Sequence, residues 1–122
     1  MGPEAKLYQK LRKNSEGISW IRLENLSSLG TPDLLGYNDS GRFFTVELKV
    51  TRSNKLRFSP HQIAFHITHP KNSFILAKAL GQRSVKLYPG SVVRELVASG
   101  LVLEPLRLGL DACGLFFSEL GA

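Results

Sequence analysis

The sequence contains little cysteine, no long hydrophobic run and fewer acidic than basic residues. Its single cysteine, Cys113, excludes a disulfide framework and a zinc site made of cysteines. No apolar run approaches the roughly 20 residues that a membrane helix needs, and the polar start of the chain lacks the apolar stretch of a signal peptide. We therefore expect an intracellular protein, in the cytoplasm or nucleoid, that is not secreted and does not bind a membrane.

The shortage of acidic residues gives the chain a basic character. Its 122 residues include 16 Lys and Arg against 10 Asp and Glu, for a net charge of +6. Three of those acids, Glu4, Asp33 and Glu47, are candidates for one metal site, which leaves 16 bases against 7 acids elsewhere. Basic side chains supply most of the sequence-independent affinity for nucleic acids. A polyanion partner is therefore indicated, although charge alone also serves solubility.

The apolar fraction of 43% is enough for one core, so we expect a single domain over residues 1–122. Apolar periodicity and turn residues predict its elements. In chain order they are a helix over 3–13, strands over 18–23, 34–37 and 42–50, a helix over 60–68, strands over 73–77 and 85–88, and a helix over 92–99. Loops at 27–30 and 81–83 interrupt this series. The order predicts an α/β (α+β) domain with a central mixed sheet of about five strands flanked by helices.

The apolar residues near the C-terminus have no clear period. Between Leu106 and Leu120, leucine and phenylalanine residues are interrupted by Gly109 and Gly114. A segment this apolar has to cover either the protein's own core or a second subunit.

Charged residues stand in and beside the most apolar predicted strand. Alternate side chains of a strand share a face, so Glu47 and Lys49 project together from the strand over 42–50. The Asn-Asp-Ser-Gly segment at 38–41 predicts a hairpin turn that folds Asp33 back beside Glu47. Two adjacent carboxylates repel unless a cation lies between them, and oxygen ligands favour Mg²⁺ or Mn²⁺. The alternative is that Asp33 is a turn residue and that Glu47 and Lys49 form an exposed pair.

Two further polar residues have both a structural and a functional interpretation. Glu4 lies in the first turn of the first helix, where it either complements the helix dipole or faces inward as a ligand of a metal or its water. Gln62 stands three residues after Ser59, and this spacing is typical of a capping box at the start of a helix. A catalytic role for Gln62 would therefore be added to a structural one.

A basic loop precedes the helix that Ser59 caps. It carries Arg52, Lys55 and Arg57 and no acidic residue. Such a loop is either a solvated connection or a contact to the phosphates of a nucleic acid. Because it follows the predicted metal site directly, we predict DNA contacts from Arg52, Lys55, Arg57, Ser59 and His61.

The three histidines do not predict a zinc site. His61, His66 and His69 have no cysteine or carboxylate near them at the spacing of zinc ligands. We expect exposed or DNA-facing histidine side chains instead.

The arrangement of these residues resembles a known nuclease signature. Pro32-Asp33, a gap of 13 residues and then Glu47-Leu48-Lys49 are similar to the motif of the PD-(D/E)XK nucleases. The order of elements from about Glu4 to Tyr88 resembles the restriction-endonuclease-like core of that superfamily. With Ser59 and Gln62 after the lysine, the pattern is similar to small stand-alone VRR-NUC nucleases and to archaeal-type Holliday junction resolvases.

The resemblance implies a role for each residue of the predicted site. The implied metal ligands are Glu4, Asp33, Glu47 and the carbonyl of Leu48. The implied catalytic residues are Glu4, Asp33, Glu47, Lys49 and Gln62. Lys49 would orient or activate the attacking water, either as a base or as a stabilising charge, and Gln62 would steady Lys49 or a phosphate. Mg²⁺, or Mn²⁺ in its place, would be the cofactor, with no small-molecule cofactor.

The function that the resemblance implies is a Mg²⁺-dependent endonuclease that resolves four-way DNA junctions as a homodimer. The alternatives are a repair or restriction-type endonuclease on flap or duplex DNA, and a non-catalytic DNA-binding module of the same fold. The intact Asp33, Glu47 and Lys49 argue against the non-catalytic module. The run Val93-Arg94 continues with Glu95 instead of the second arginine that names the VRR-NUC nucleases, and this leaves the subfamily open.

Overall fold

The structure, a computed structural model, describes residues 2–23, 29–82 and 84–122. Positions 27 and 28 of the first predicted loop and position 83 of the second lie outside the described residues. The helices are α1 (Pro3–Lys13), α2 (Pro60–Thr68), α3 (Val93–Ser99) and α4 (Leu110–Glu119). The strands are β1 (Ser19–Arg22), β2 (Leu34–Tyr37), β3 (Phe43–Thr51), β4 (Ser73–Ala79), β5 (Val85–Pro89) and β6 (Arg107–Leu108).

The strands form one mixed sheet in the order β1-β2-β3-β4-β5-β6. Strands β3 and β4 pair in parallel, and each of the other neighbouring pairs is antiparallel. The parallel pair needs a crossover connection, which α2 supplies. The predicted fold class is confirmed, with a sixth, two-residue strand beyond the five expected.

Helices cover both faces of the sheet, and each face has its own apolar core. On one face α1 and α4 pack against alternate residues of the central strands, among them Val46 and Leu48. On the other face α2 and α3 pack against a second cluster that includes Ile75 and Tyr88. Since alternate strand residues face opposite ways, Glu47 and Lys49 are left on the α2 side of β3.

Helix α2 begins where the sequence predicts. Ser59 is its N-cap, Pro60 is its first residue, and Gln62 completes the capping box. The Ser59 hydroxyl accepts a hydrogen bond from the Gln62 amide at 3.1 Å, and the Gln62 side chain accepts one from the Ser59 amide at 3.0 Å. Both bonds satisfy N–H groups that have no partner inside the helix.

The C-terminal segment, for which the sequence predicts no regular structure, forms β6 and α4. It covers the protein's own core, because the Phe117 ring stacks on that of Phe44 at a centroid distance of 4.7 Å. Gly114 permits a close approach of α4 to the end of α1, since a Cβ atom there would lie 2.0 Å from the Asn14 carbonyl oxygen. Apolar periodicity is weak here because α4 is short and a glycine stands on its buried side.

None of the helices within the described ranges is long and apolar enough to cross a membrane.

Candidate functional site

The hairpin of β2 and β3 brings Asp33 and Glu47 together. Leu34 pairs with Val46, so the residues just outside that pair, Asp33 and Glu47, stand opposite each other. The Leu48 amide donates a hydrogen bond to Asp33 Oδ2 at 2.7 Å, which anchors the aspartate where β2 begins. A strand residue points its N–H and its C=O toward the same neighbouring strand, so the Leu48 carbonyl also lies on the Asp33 side.

A close glycine contact holds the segment before Asp33 against α2. Gly30 has a φ of +79°, and a Cβ atom there would lie 2.3 Å from the His61 carbonyl oxygen. Only glycine fits this backbone approach without strain. The contact places the Thr31-Pro32-Asp33 segment beside the first turn of α2.

Glu47 is the most buried charged group of the site. It is 2% exposed, and burial together with the adjacent Asp33 carboxylate raises its pKa to about 9. Its Oε2 accepts a hydrogen bond from Gln62 Nε2 at 3.2 Å. Its buried Oε1 has no hydrogen-bond partner among the described residues. An ionised Glu47 in this position therefore requires a cation beside it.

Gln62 links the two charged residues of β3. Its Oε1 accepts hydrogen bonds from Lys49 Nζ and from the Ser59 amide, both at 3.0 Å, while its Nε2 donates to Glu47. The Lys49 ammonium also lies over the Phe58 ring, 4.6 Å from its centroid. One side chain therefore both caps α2 and fixes the relative positions of Glu47 and Lys49.

Glu4 lies at the mouth of the site. It is exposed on the first turn of α1. Partial burial and the nearby Asp33 carboxylate raise its pKa, and Lys49 opposes that effect. Glu4 thus lies in the first turn of α1 and near enough to Asp33 for their charges to interact, while its role as a ligand stays a prediction.

The donor set fits a hard divalent cation. In the ranges 2–23, 29–82 and 84–122, no three His, Cys, Asp or Glu side chains are close enough to hold a metal ion by themselves. The carboxylates of Asp33 and Glu47 would supply two ligands to such an ion, and the Leu48 carbonyl on the same side would supply a third. The unpartnered Glu47 Oε1 is an oxygen that such an ion would satisfy, and all these donors are of the type that Mg²⁺ prefers.

An open cleft of about 550 Å³ leads away from the site and is lined by basic residues. Glu4 and Lys49 lie on its wall together with Arg52, Lys55 and Arg57. The structure therefore places these three predicted DNA contacts in one concave surface with two residues of the candidate site.

The two other predicted DNA contacts, Ser59 and His61, are exposed at the start of α2. Ser59 borders the site through its hydrogen bonds to Gln62. The His61 backbone packs against Gly30.

His66 is a residue of this site that the sequence analysis missed. The expectation of an exposed or DNA-facing side chain is wrong for His66, which is fully buried, and it holds for His61 and His69, which are exposed. His66 Nδ1 lies 2.7 Å from the Ser73 hydroxyl, and Nε2 lies 4.0 Å from Glu47 Oε1. Burial, and next to it the charge of Lys49, lowers its pKa to about 4, so its ring is neutral at pH 7. Its position one helical turn after Gln62, on the same side of α2, is the signal that could have identified it.

Comparisons with known proteins support the fold and assign no family. No protein-family model matches the sequence, and no curated protein matches it. Among solved structures, the chain is similar to Archaeoglobus fulgidus Hjc, a Holliday junction resolvase from an archaeal hyperthermophile. The TM-score is 0.52 at 18% sequence identity, over 70% of this chain and 72% of the resolvase. The chain thus has the restriction-endonuclease-like fold, which in the described residues is a mixed six-stranded sheet between two pairs of helices.

Proposed function

We propose that this protein is a metal-dependent endodeoxyribonuclease of the PD-(D/E)XK kind that resolves four-way DNA junctions. The observation that carries the proposal is the convergence of Asp33, Glu47 and Lys49. The Leu48 amide holds Asp33, and Gln62 joins Glu47 to Lys49. The fold similarity to a Holliday junction resolvase supports the junction as substrate. The proposed nuclease domain spans residues 1–122 and acts inside the cell.

The carboxylates of Asp33 and Glu47 and the Leu48 carbonyl would hold the ion, with Mg²⁺ as the proposed metal and Mn²⁺ as a substitute. When bound, the ion would neutralise charge on the phosphate and increase the acidity of water. Glu4, at the mouth of the cleft, would orient a water molecule. The influence of the Asp33 carboxylate on the pKa of Glu4 supports this role.

Lys49 would act on the phosphate that is cut. Gln62 Oε1 accepts one of its N–H groups and leaves the others free for the water or the phosphate oxygens. The amine serves either as a base toward the attacking water or as a charge that stabilises the transition state. In both roles Gln62 keeps the amine at a constant distance from Glu47.

The basic cleft would hold the DNA backbone. Arg52, Lys55 and Arg57 would contact phosphates, with no dependence on base sequence. Symmetric cutting of two strands requires two sites related by a two-fold axis, so we propose a homodimer. Exposed apolar side chains of the C-terminal segment, such as Leu108 and Leu115, are candidates for the dimer interface, as is the region 85–100.

The resolvase assignment is preferred over the VRR-NUC subfamily. The structure to which the fold is similar belongs to a resolvase, and the Val93-Arg94-Glu95 run lacks the second arginine. A repair or restriction-type endonuclease would use the same site on flap or duplex DNA and differs only in substrate.

The test compares wild type, Asp33→Ala and Lys49→Ala on four-way junction, flap, duplex and single-stranded DNA, in Mg²⁺ and then in Ca²⁺. We expect paired nicks in the junction in Mg²⁺ only, and DNA binding without cutting for both variants. Cleavage that survives both substitutions would refute the site. Equal cutting of linear duplex would refute the junction as preferred substrate and leave the nuclease in place.

A further inference from the structure

Three lysines surround a small pocket on the α1 side of the sheet. Lys6 and Lys10 lie one turn apart on α1, and Lys78 lies on β4 opposite Val50 of β3. The pocket has a volume of about 150 Å³. Its remaining lining residues are apolar and are Pro3, Leu7, Val50 and Leu80.

The lysines of this pocket have no counter-charge among the residues that the structure describes. No acidic residue lines the pocket, and none of the three amines pairs with a carboxylate of the described residues. Desolvation and the nearby ammonium of Lys10 lower the pKa of Lys78. Like charges that converge without a counter-ion destabilise the folded state, so the arrangement favours an anion between them.

The pocket is adjacent to the basic cleft of the proposed nuclease site. Val50 lines both, and Pro3 of the pocket precedes Glu4 of the cleft in the chain. The pocket lies on the α1 side of the end of β3, and the cleft lies around the loop that follows β3. A polyanion that occupies the cleft can therefore continue past Glu4 and reach the three lysines.

We propose that the pocket formed by Lys6, Lys10 and Lys78 binds a backbone phosphate of the DNA substrate other than the phosphate that is cut. This inference rests on the proposed function. Ammonium groups recognise phosphate as point charges, and a phosphate contact fixes the position of DNA and reads no sequence. The pocket would thus hold the part of the substrate that extends from the cleft across α1.

The experiment uses the double variant Lys10→Gln/Lys78→Gln and the full-length protein in Ca²⁺, where binding is measured without cleavage. The matched control is Lys13→Gln/Lys71→Gln, which removes the same charge from two exposed positions outside the pocket. Junction affinity is measured across a range of salt concentrations. For one lost phosphate contact we expect the slope of log K against log salt to become shallower by about 0.9 in the pocket variant, with less change in the control.

Phosphate ethylation interference on the same junction gives a second readout that a purely structural role would not change. Ethylation of one or more phosphates away from the cleavage site should weaken binding of the junction by wild type. The pocket variant should lose sensitivity at those phosphates only. Lys10→Arg/Lys78→Arg should restore it. Thermal unfolding of the pocket variant should occur at the same or a higher temperature, since a repulsion is removed, and this separates loss of binding from loss of folding.

Three results would overturn the proposal. The first is a folded pocket variant whose salt slope and interference pattern equal those of wild type. If wild type binds and cuts DNA in the same experiments, this result leaves the proposed function intact. The second is binding of inorganic phosphate that depends on Lys10 and Lys78 but leaves the affinity of wild type for the junction unchanged, which would assign the pocket to free phosphate. The third, a wild type that neither binds nor cuts DNA, would refute the proposed function together with the pocket.

Discussion

Removal of divalent metal should make the stability of the protein fall as the pH rises, because Glu47 is buried beside Asp33. Burial and the adjacent Asp33 carboxylate raise the pKa of Glu47 from its ordinary value of 4.5 to about 9 in the folded protein. A carboxyl group with a raised pKa favours folding when it is protonated. Its contribution is therefore complete below pH 4.5 and is lost as the pH approaches 9.

The size of the effect follows from the difference between the two pKa values. From pH 7 to pH 9 Glu47 is ionised in the unfolded chain. In most folded molecules it stays protonated until the pH approaches 9. The free energy of unfolding should fall by about 2 kcal/mol over this range. His66 acts in the opposite direction, but only at lower pH, because its pKa of about 4 leaves it neutral when folded. Burial raises the pKa of Cys113 to about 11, so this thiol adds a smaller loss of stability near pH 9, and the difference between wild type and Glu47→Gln isolates the contribution of Glu47.

The measurement is urea unfolding of protein treated with chelator, at several pH values from 7 to 9. Glu47→Gln should remove most of the pH dependence, whereas Glu95→Gln, at an exposed position on α3, should keep it. Adding Ca²⁺ or Mg²⁺ at about 100 times its dissociation constant should stabilise wild type by about 2.7 kcal/mol and Glu47→Gln by much less. Parallel curves for wild type and Glu47→Gln, with and without metal, would refute the argument that this carboxylate needs a cation.

Three other predictions concern single side chains. Gln62→Ala should reduce cleavage by about 10- to 100-fold in a single-turnover assay, because it releases Lys49 and Glu47 together; unchanged cleavage would show that Gln62 only caps the helix. Lys49→Arg should keep part of the cleavage rate if the amine acts through its charge and none if it acts as a base, which pH–rate profiles measure. A rate equal to wild type for Lys49→Ala would contradict both roles. Gly114→Ala should destabilise the fold by about 1–3 kcal/mol in urea unfolding, since its Cβ would meet the Asn14 carbonyl oxygen at 2.0 Å. Ala112→Gly, two residues earlier on the same helix, is the comparison. A neutral Gly114→Ala would mean that α1 and α4 separate easily.

Elements whose hydrogen bonds join near neighbours in the chain were predicted closely. The first helix has the predicted bounds, and the capping box of Ser59 and Gln62 forms as expected. The turn at 38–41 also forms, with Asn38 Oδ1 accepting from the amides of Ser40 and Arg42. Each of these structures depends on residues within four positions of each other, so the local sequence contains the information needed.

The C-terminal segment shows the limit of periodicity. Its two-residue strand is too short for an alternating pattern, and its helix uses Gly114 on the buried side, where an apolar residue would have marked the period. The position of that helix depends on a close contact with the end of α1, which lies about a hundred residues earlier in the chain. No local pattern reports such a contact.

Strand alternation and a strong turn predict that Asp33, Glu47 and Lys49 stand near one another, because a hairpin has few other arrangements. Three other features depend on the packing of the fold: Gln62 joins Glu47 to Lys49, His66 is buried beside Glu47, and three lysines from α1 and β4 share a pocket. These contacts join separate elements across the two faces of the sheet. Their geometry depends on how helices pack against strands, and the spacing of residues along the chain does not specify that packing.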